Sequence, residues 1–318
     1  MEYRLGLVIV LALVLGGCMK KTQPVETGPA EWEPIALPTP ATYRDVVVRQ
    51  IRGSGPNDIW VLANAHRTDN PGAPYGLSFH FDGKQWNLAE VPARATNTIV
   101  PISPTEAWAL GVYGTVARWD GKTWTAEKIV GIDWDLIDAA GWHDDIWVAG
   151  AGQGLVHFDG QRWTDVRPPE LGTMGIHKVF ALPNHELLVP RHDKKDDPAI
   201  VHYAKGQWRI DPVGPGGIVL LAATGPRDIW AIGAKNHSYH FDGFRWSKFP
   251  TSDGYYIGAW ATSPTEAYIV GEHGEVLIWD GLAWKRSPSG TRARLWTVFA
   301  PPGGKPIIGG DGVLLQKK

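Results

Sequence analysis

Six times the chain ends the same short phrase on a tryptophan. Trp86, Trp124, Trp163, Trp208, Trp246 and Trp284 follow one another at intervals of 38, 39, 45, 38 and 38 residues. Five copies read aromatic-Asp-Gly-x-x-Trp, opening at Phe81-Asp82-Gly83, Trp119-Asp120-Gly121, Phe158-Asp159-Gly160, Phe241-Asp242-Gly243 and Trp279-Asp280-Gly281. Tyr203-Ala204-Lys205-Gly206-Gln207-Trp208 is a degenerate copy. A second phrase lies upstream of each: Pro56-Asn57-Asp58-Ile59-Trp60, Pro104-Thr105-Glu106-Ala107-Trp108, Asp144-Asp145-Ile146-Trp147, Pro226-Arg227-Asp228-Ile229-Trp230 and Pro264-Thr265-Glu266-Ala267-Tyr268. It is weak at Asn184-His185-Glu186-Leu187-Leu188. A period near 40 residues means one supersecondary unit per copy, each burying its apolar face against the next.

Within a unit, runs of four to six residues rich in Val, Ile, Trp and Tyr alternate with Gly, Pro and Asp, the pattern of short antiparallel strands. Tyr256 to Ala261, Ala107 to Gly111, Thr115 to Trp119 and Trp124 to Ile129 exemplify the four strands of a unit. No segment after the leader has helical periodicity. Four-stranded units of this length are propeller blades. Residues 31–318 number 288, which is about 41 for each of seven blades. The seventh copy, Leu295 to Ala300, Lys305 to Gly309 and Gly312 to Gln316, stops one strand short. Residues 31–38, beginning Glu31-Trp32, match the fourth strand of other copies, such as Arg245 to Pro250. The expected fold is therefore all-β: a seven-bladed β-propeller of four-stranded antiparallel blades, closed by the N-terminal strand, so that no sheet edge is left open.

The phrases resemble the WD40/YVTN-like and Asp-box repeats of bacterial propellers. The Asp-box, Ser/Thr-x-Asp-x-Gly-x-Thr-Trp, has the same Gly-to-Trp spacing, but here Asp and Gly are adjacent. The Asp of Asp-Gly is expected to accept backbone N–H bonds inside its own turn, with Gly at positive φ. His80, His157, His202 and His240 all stand two residues before that Asp position, so one repeated strand position accounts for them. Glu106, Asp145, Asp228 and Glu266 read as turn formers. Of 17 Trp, 11 are in phase, and Trp119 and Trp279 take the aromatic place before Asp-Gly. Trp134, Trp142, Trp260 and Trp296 fall outside, and Trp134 alone reads as a loop residue.

Residues 1–17 read as a signal peptide: Arg4, then an apolar run from Leu5 to Leu15 broken by Gly6, too short to span a bilayer. Leu15-Gly16-Gly17-Cys18 resembles the bacterial lipobox, which implies cleavage before Cys18 and lipidation of its thiol. Cys18 is the chain's single cysteine, so no internal disulfide is available. Multiple acyl chains would anchor stably. Met19 in place of Asp leans towards the outer membrane, on its periplasmic face or the cell surface. Residues 18–30 read as a polar, Pro-containing tether, and 31–318 as the propeller.

A net charge of −2 speaks against nucleic acid. No Gly-x-Ser-x-Gly, His-Glu-x-x-His or Walker motif is present, so the reading leans against an enzyme, and no cofactor is implied. The resemblance implies an interaction module, monomeric, with an envelope protein as partner. Glycan binding or sialidase-like glycan chemistry is the alternative. Function is expected where the repeat breaks. The loops between second and third strands are long at 64–76 and 190–198, and they share a face with the segments leading into each inner strand. The candidate face is His66, Arg67, Tyr113, Trp134, Arg191, His192, His237, Tyr255, His273 and Arg294. His192, Asp193, Asp196 and Asp197 lack the order of a calcium loop, with Lys194 and Lys195 intervening, and read as a solvated loop rather than a metal site.

Overall fold

The computed structural model describes residues 28–70, 72–150, 154–172, 176–191, 199–233 and 236–318, the side chain of Arg94 excepted. Seven four-stranded antiparallel sheets are arranged as blades, each in simple order from an inner to an outer strand. The inner strands are Tyr43–Gly55, Thr96–Ser103, Leu136–Trp142, Phe180–Leu182, Ile218–Gly225, Tyr256–Ser263 and Leu295–Phe299. The seventh blade takes its outer strand from the N-terminal segment, as the copy count predicts. Trp32 pairs with Lys317, Glu33 with Gln316 and Pro34 with Leu315. This strand is shorter than residues 31–38. Ile35 adds one more bond, from its N–H to the Leu314 carbonyl, before the segment containing Pro38 and Pro40 turns away.

Apolar packing follows the repeat. Seven clusters of buried residues lie among the described residues, and each joins two adjacent blades. The closing Trp of one blade meets the middle-strand Trp of the blade before it: Trp124 on Trp60, Trp163 on Trp108, Trp208 on Trp147 and Trp284 on Trp230, with ring centroids 5.1–6.1 Å apart. Splayed sheets leave a wedge between them, and an indole fills it.

The Asp-Gly turns behave as expected. Asp82 Oδ1 accepts the N–H groups of Lys84 and Gln85, both at 2.9 Å. Asp120, Asp159, Asp242 and Asp280 repeat the arrangement. Gly83 sits at φ 85°, a conformation open to glycine.

The carboxylates of the upstream phrase do more than form turns. Asp58 Oδ1 accepts from His80 Nε2 at 2.7 Å and from Trp60 Nε1 at 3.1 Å, while the Ser54 hydroxyl donates to Oδ2 at 2.6 Å. Asp145 holds His157 and Trp147 in the same way. Asp228 and Glu186 accept from His240 and His202 at 2.6 Å each. In three blades the imidazole lies flat on the indole, at 3.9–4.2 Å. These histidines are structural, as their repetition indicates. Burial pushes Asp58 upward, but the bonds from His80 and Ser54 outweigh it and hold the carboxyl below the usual range.

Candidate functional site

The inner strands share an irregularity that the sequence pattern does not disclose. In six blades the register to the second strand skips one residue, near the start of the inner strand or, in the longer strand of the first blade, at its middle: Arg49, Asn97, Ile137, Val219, Ile257 and Trp296. A bulge of this kind turns a side chain out of the alternation. Five of the six bulged residues, all but Val219, line a central cavity of about 300 Å³. The inner strands begin on the face that carries the second-to-third-strand loops, so this ring stands at the cavity's mouth on that face.

Beside the bulges, side chains tie neighbouring blades together. The Gln50 carbonyl accepts from Ile99 N–H at 2.6 Å, the Thr98 hydroxyl from Ala139 N–H at 3.0 Å and Asp138 from Val179 N–H at 3.2 Å. Thr297 ties the seventh blade to the first, accepting from Ile51 N–H at 3.1 Å. Asp138 also accepts from the Gln50 amide at 3.3 Å and faces the Lys178 ammonium at 4.0 Å.

The cavity wall is uneven in chemistry. Opposite the middle-strand Trp or its equivalent, the inner strands carry Arg52, Val100, Ala140, Phe180, Ala222, Trp260 and Phe299, of which Arg52 and Phe180 line the cavity. Arg52 is the lone cation in an otherwise apolar series. It lies 5.4 Å from the Trp260 ring. Arg49 lies 4.3 Å from the Trp296 ring, whose centre is also 5.1 Å from Arg294. The Trp296 N–H donates to Asp311 at 2.6 Å. Burial pushes the guanidiniums of Arg49 and Arg52 below their ordinary range, partly offset by Asp311 and Asp138 respectively.

The face expected from sequence divides into three groups. Tyr113 and Tyr255 are 65% and 67% exposed, and His273, on the same blade as Tyr255, and Arg294, just before the inner strand of the next blade, are exposed as well. Tyr113 and His273 occupy loop tips at φ 55° and 59°. Tyr113 N–H donates to Asp135 of the next blade, and Arg294 pairs with Glu272 at 2.8 Å. A second group is tied up within its own loop. Arg67 makes a two-bond pair with Asp69, and His66 Nδ1 meets the Gly72 carbonyl at 3.0 Å. In the 64–76 segment Asn64 pairs with Gly76 and Ala65 with Tyr75, and the second strand runs on to Arg67 against Tyr43 of the inner strand. Arg191 ends its strand near Gly172.

The third group leaves the surface. His237 is 8% exposed, packed into the space that Gly216 and Gly233 leave open. Trp134 is half-buried: a Cβ on Gly150 or Gly154 would meet its ring at 1.8 and 2.1 Å, so the indole lies directly on those glycines. It is packing, not an exposed platform. His192, the 192–198 loop and Cys18 lie outside the described residues.

Sequence reasoning passed over Arg49, Arg52, Lys178 and Trp296. The available signal was that Trp260 and Trp296 are out of phase, together with cations on one inner strand. On the opposite face Glu106, His143 and Asp144 come together. His143 bridges the two carboxylates at 2.7 and 3.0 Å, and Arg118 takes the other Glu106 oxygen at 3.0 Å, so the cluster satisfies itself.

No family model and no curated protein sequence matches the chain. Solved structures do. YCF48 bound to D1 peptide is 15% identical with a TM-score of 0.64, covering 92% of this chain and 96% of that one. The WD40 propeller domain of Doa1 is 12% identical with a TM-score of 0.65, covering 87% and 96%. A catalytically inactive virginiamycin B lyase from Staphylococcus aureus with quinupristin is 13% identical with a TM-score of 0.67, covering 90% and 97%. At such identities the likeness is one of fold. Among the described residues no helix is long and apolar enough to cross a membrane.

Proposed function

We propose that this chain is a lipid-anchored envelope protein whose propeller binds a protein partner through the face that carries the cavity mouth. The observation behind this reading is convergence. Exposed Tyr113, Tyr255 and Arg294 stand on the same face as the cationic, partly apolar mouth, and Tyr and Arg are the residues that anchor protein interfaces. The similarity to YCF48, solved with a peptide bound, supports it at the level of fold. The glycan alternative needs clustered open aromatics with convergent carboxylates. The cavity instead carries arginines, and Trp134 is covered by its own blade.

Anchoring rests on the Leu15 to Cys18 motif and the apolar run before it. It would hold the propeller at the membrane surface on a short tether, in the outer membrane by the residue at position 19.

Photo-crosslinking in the native envelope tests the partner face. A benzophenone side chain at Tyr113 or Tyr255 is expected to give a discrete protein adduct. The same group at Phe244 or Leu282, exposed in Asp-Gly turns at the other end of the blades, is expected to give none. Adducts only from the Asp-Gly turns would overturn the assignment of the face.

A further inference from the structure

Among the described residues Arg49 and Arg52 make no direct ion pair, and Asp311 and Asp138 act on them only from further off. The Arg49 Nε is buried and has no hydrogen-bond acceptor, and among the described residues no carboxylate lies within ion-pair distance of either guanidinium. The bond found for Arg52 goes to the carbonyl of its own neighbour, Ile51, at 3.0 Å. The one acid in the wall, Asp138, is engaged by Gln50, Val179 and Lys178. Half-burying a guanidinium without a direct ion pair is costly, and at the Arg52 position the other blades carry apolar side chains. Each guanidinium is instead set against an indole, Trp296 for Arg49 and Trp260 for Arg52. Such a contact steadies the group from its face and leaves the in-plane N–H fork available.

We infer that the central cavity is a carboxylate-binding site, in which Arg49 and Arg52 receive the carboxylate and the facing wall receives an aliphatic stem. That wall is Leu220, Leu221, Ile257 and Ala259, so the ligand is amphipathic: a flat anion on a short apolar body. About 300 Å³ is at the small end of ligand cavities and admits one such group rather than an extended chain. The carboxylate comes either from the C-terminus of a protein partner with an apolar last residue or from a free aliphatic acid. The first source deepens the partner-binding reading, since the mouth lies on the same face.

Calorimetric titration and thermal melting of the purified propeller, with acetyl-Ala-Leu as free acid, its C-terminal amide, and hexanoate as probes, separate these cases. The acid is expected to bind and raise the melting temperature, and the amide to do neither. Arg49→Met and Arg52→Met are each expected to weaken the acid at least tenfold, as loss of charge-assisted bonds requires. Their melting temperatures without ligand should equal or exceed that of the parent, because a methionine keeps the stem and removes an unpaired charge. A structural arginine would give a lower melting temperature in both variants, and that result overturns the site. So do equal binding of acid and amide, displacement by sulfate as readily as by carboxylate, and the absence of any carboxylate binding at millimolar concentration. Acid bound well above hexanoate supports a chain terminus, and hexanoate bound as tightly keeps the site and assigns it to a free acid. Rim adducts from Tyr113 without carboxylate binding would leave the partner face standing and remove this site alone.

Discussion

Trp32 is the residue on which ring closure turns. The closing strand has only three paired residues, Trp32–Pro34, and Pro34 has no N–H to donate. Its backbone bonds alone would contribute about 1 kcal/mol each, too little to hold a free segment in register. The indole supplies the rest. Trp32 is 3% exposed and packs in a cluster with Tyr268, Val270 and Val276 of the sixth blade and Leu295, Ile308 and Leu315 of the seventh. Its N–H donates to the buried Ser287 hydroxyl at 3.0 Å, and Ser287 in turn donates to Glu31 at 2.6 Å. The Lys317 ammonium bonds Glu31 at 2.6 Å and lies 5.4 Å from the Trp32 ring. Trp32→Ala should therefore cost about 3–5 kcal/mol, the range for a buried large aromatic. For a propeller of this size that lowers Tm by roughly 5–8 °C. The closing strand should also detach, so the penalty should approach that of deleting residues 28–38 outright. Urea denaturation of the chain beginning after Cys18 measures the energy. Hydrogen exchange at the Lys318 amide, which donates to the Glu31 carbonyl, reads the detachment directly. Trp32→Phe keeps most of the volume and should lose about 1 kcal/mol. A cost under about 1 kcal/mol for the alanine variant, with Lys318 still protected, would refute closure by this strand.

Other perturbations probe other parts of the repeat. Gln50→Ala removes the acceptor for Ile99 N–H and for the Thr98 hydroxyl, and should destabilise by roughly 2–4 kcal/mol in urea because both donors stay buried. A loss near zero would mean that the inter-blade bonds add nothing to backbone pairing. The five turn aspartates, Asp82, Asp120, Asp159, Asp242 and Asp280, are held below the usual aspartate range near 3.8, chiefly by backbone N–H bonds. A lowered folded-state value means that their contribution is complete above the usual range and is lost as pH falls through the lower folded values. Melting temperature should thus be flat near neutrality and fall below about pH 4. Replacing all five by Asn, which keeps the accepting oxygen, should flatten that acid limb, and an unchanged limb would place the acid sensitivity elsewhere. Cys18→Ala should shift the protein from the membrane to the soluble fraction on cell fractionation, and retention through an intact N-terminus would exclude the lipid anchor.

How far the sequence carried depends on what repeats. Periodic positions report themselves: the Asp-Gly turns, the wedge tryptophans, the strand histidines and the missing outer strand all follow from aligning copies. Their partners were less visible. Asp145 and Asp228 read as turn residues because their contacts with His157 and His240 arise across strands, where local spacing says little. His237 and Trp134 looked like rim residues because both fall near loops. Only the fold reveals that Gly216 with Gly233, and Gly150 with Gly154, leave room for those rings. The same limit hides the cavity. A bulge adds one residue to a strand without any mark in its composition, and it is the bulge that places Arg49 and Trp296 at the axis. A break in the repeat need not be a change of loop length. On the inner strands it takes the form of a changed residue at constant length: Arg52 where other blades hold apolar groups, and Trp260 and Trp296 out of phase beside the two arginines. Loop insertions reshape a rim that solvent already covers. A half-buried cation in an apolar series carries a desolvation cost that neutral side chains at the same position do not, and that asymmetry is what favours the inner strand of the first blade over the rim loops as a ligand position.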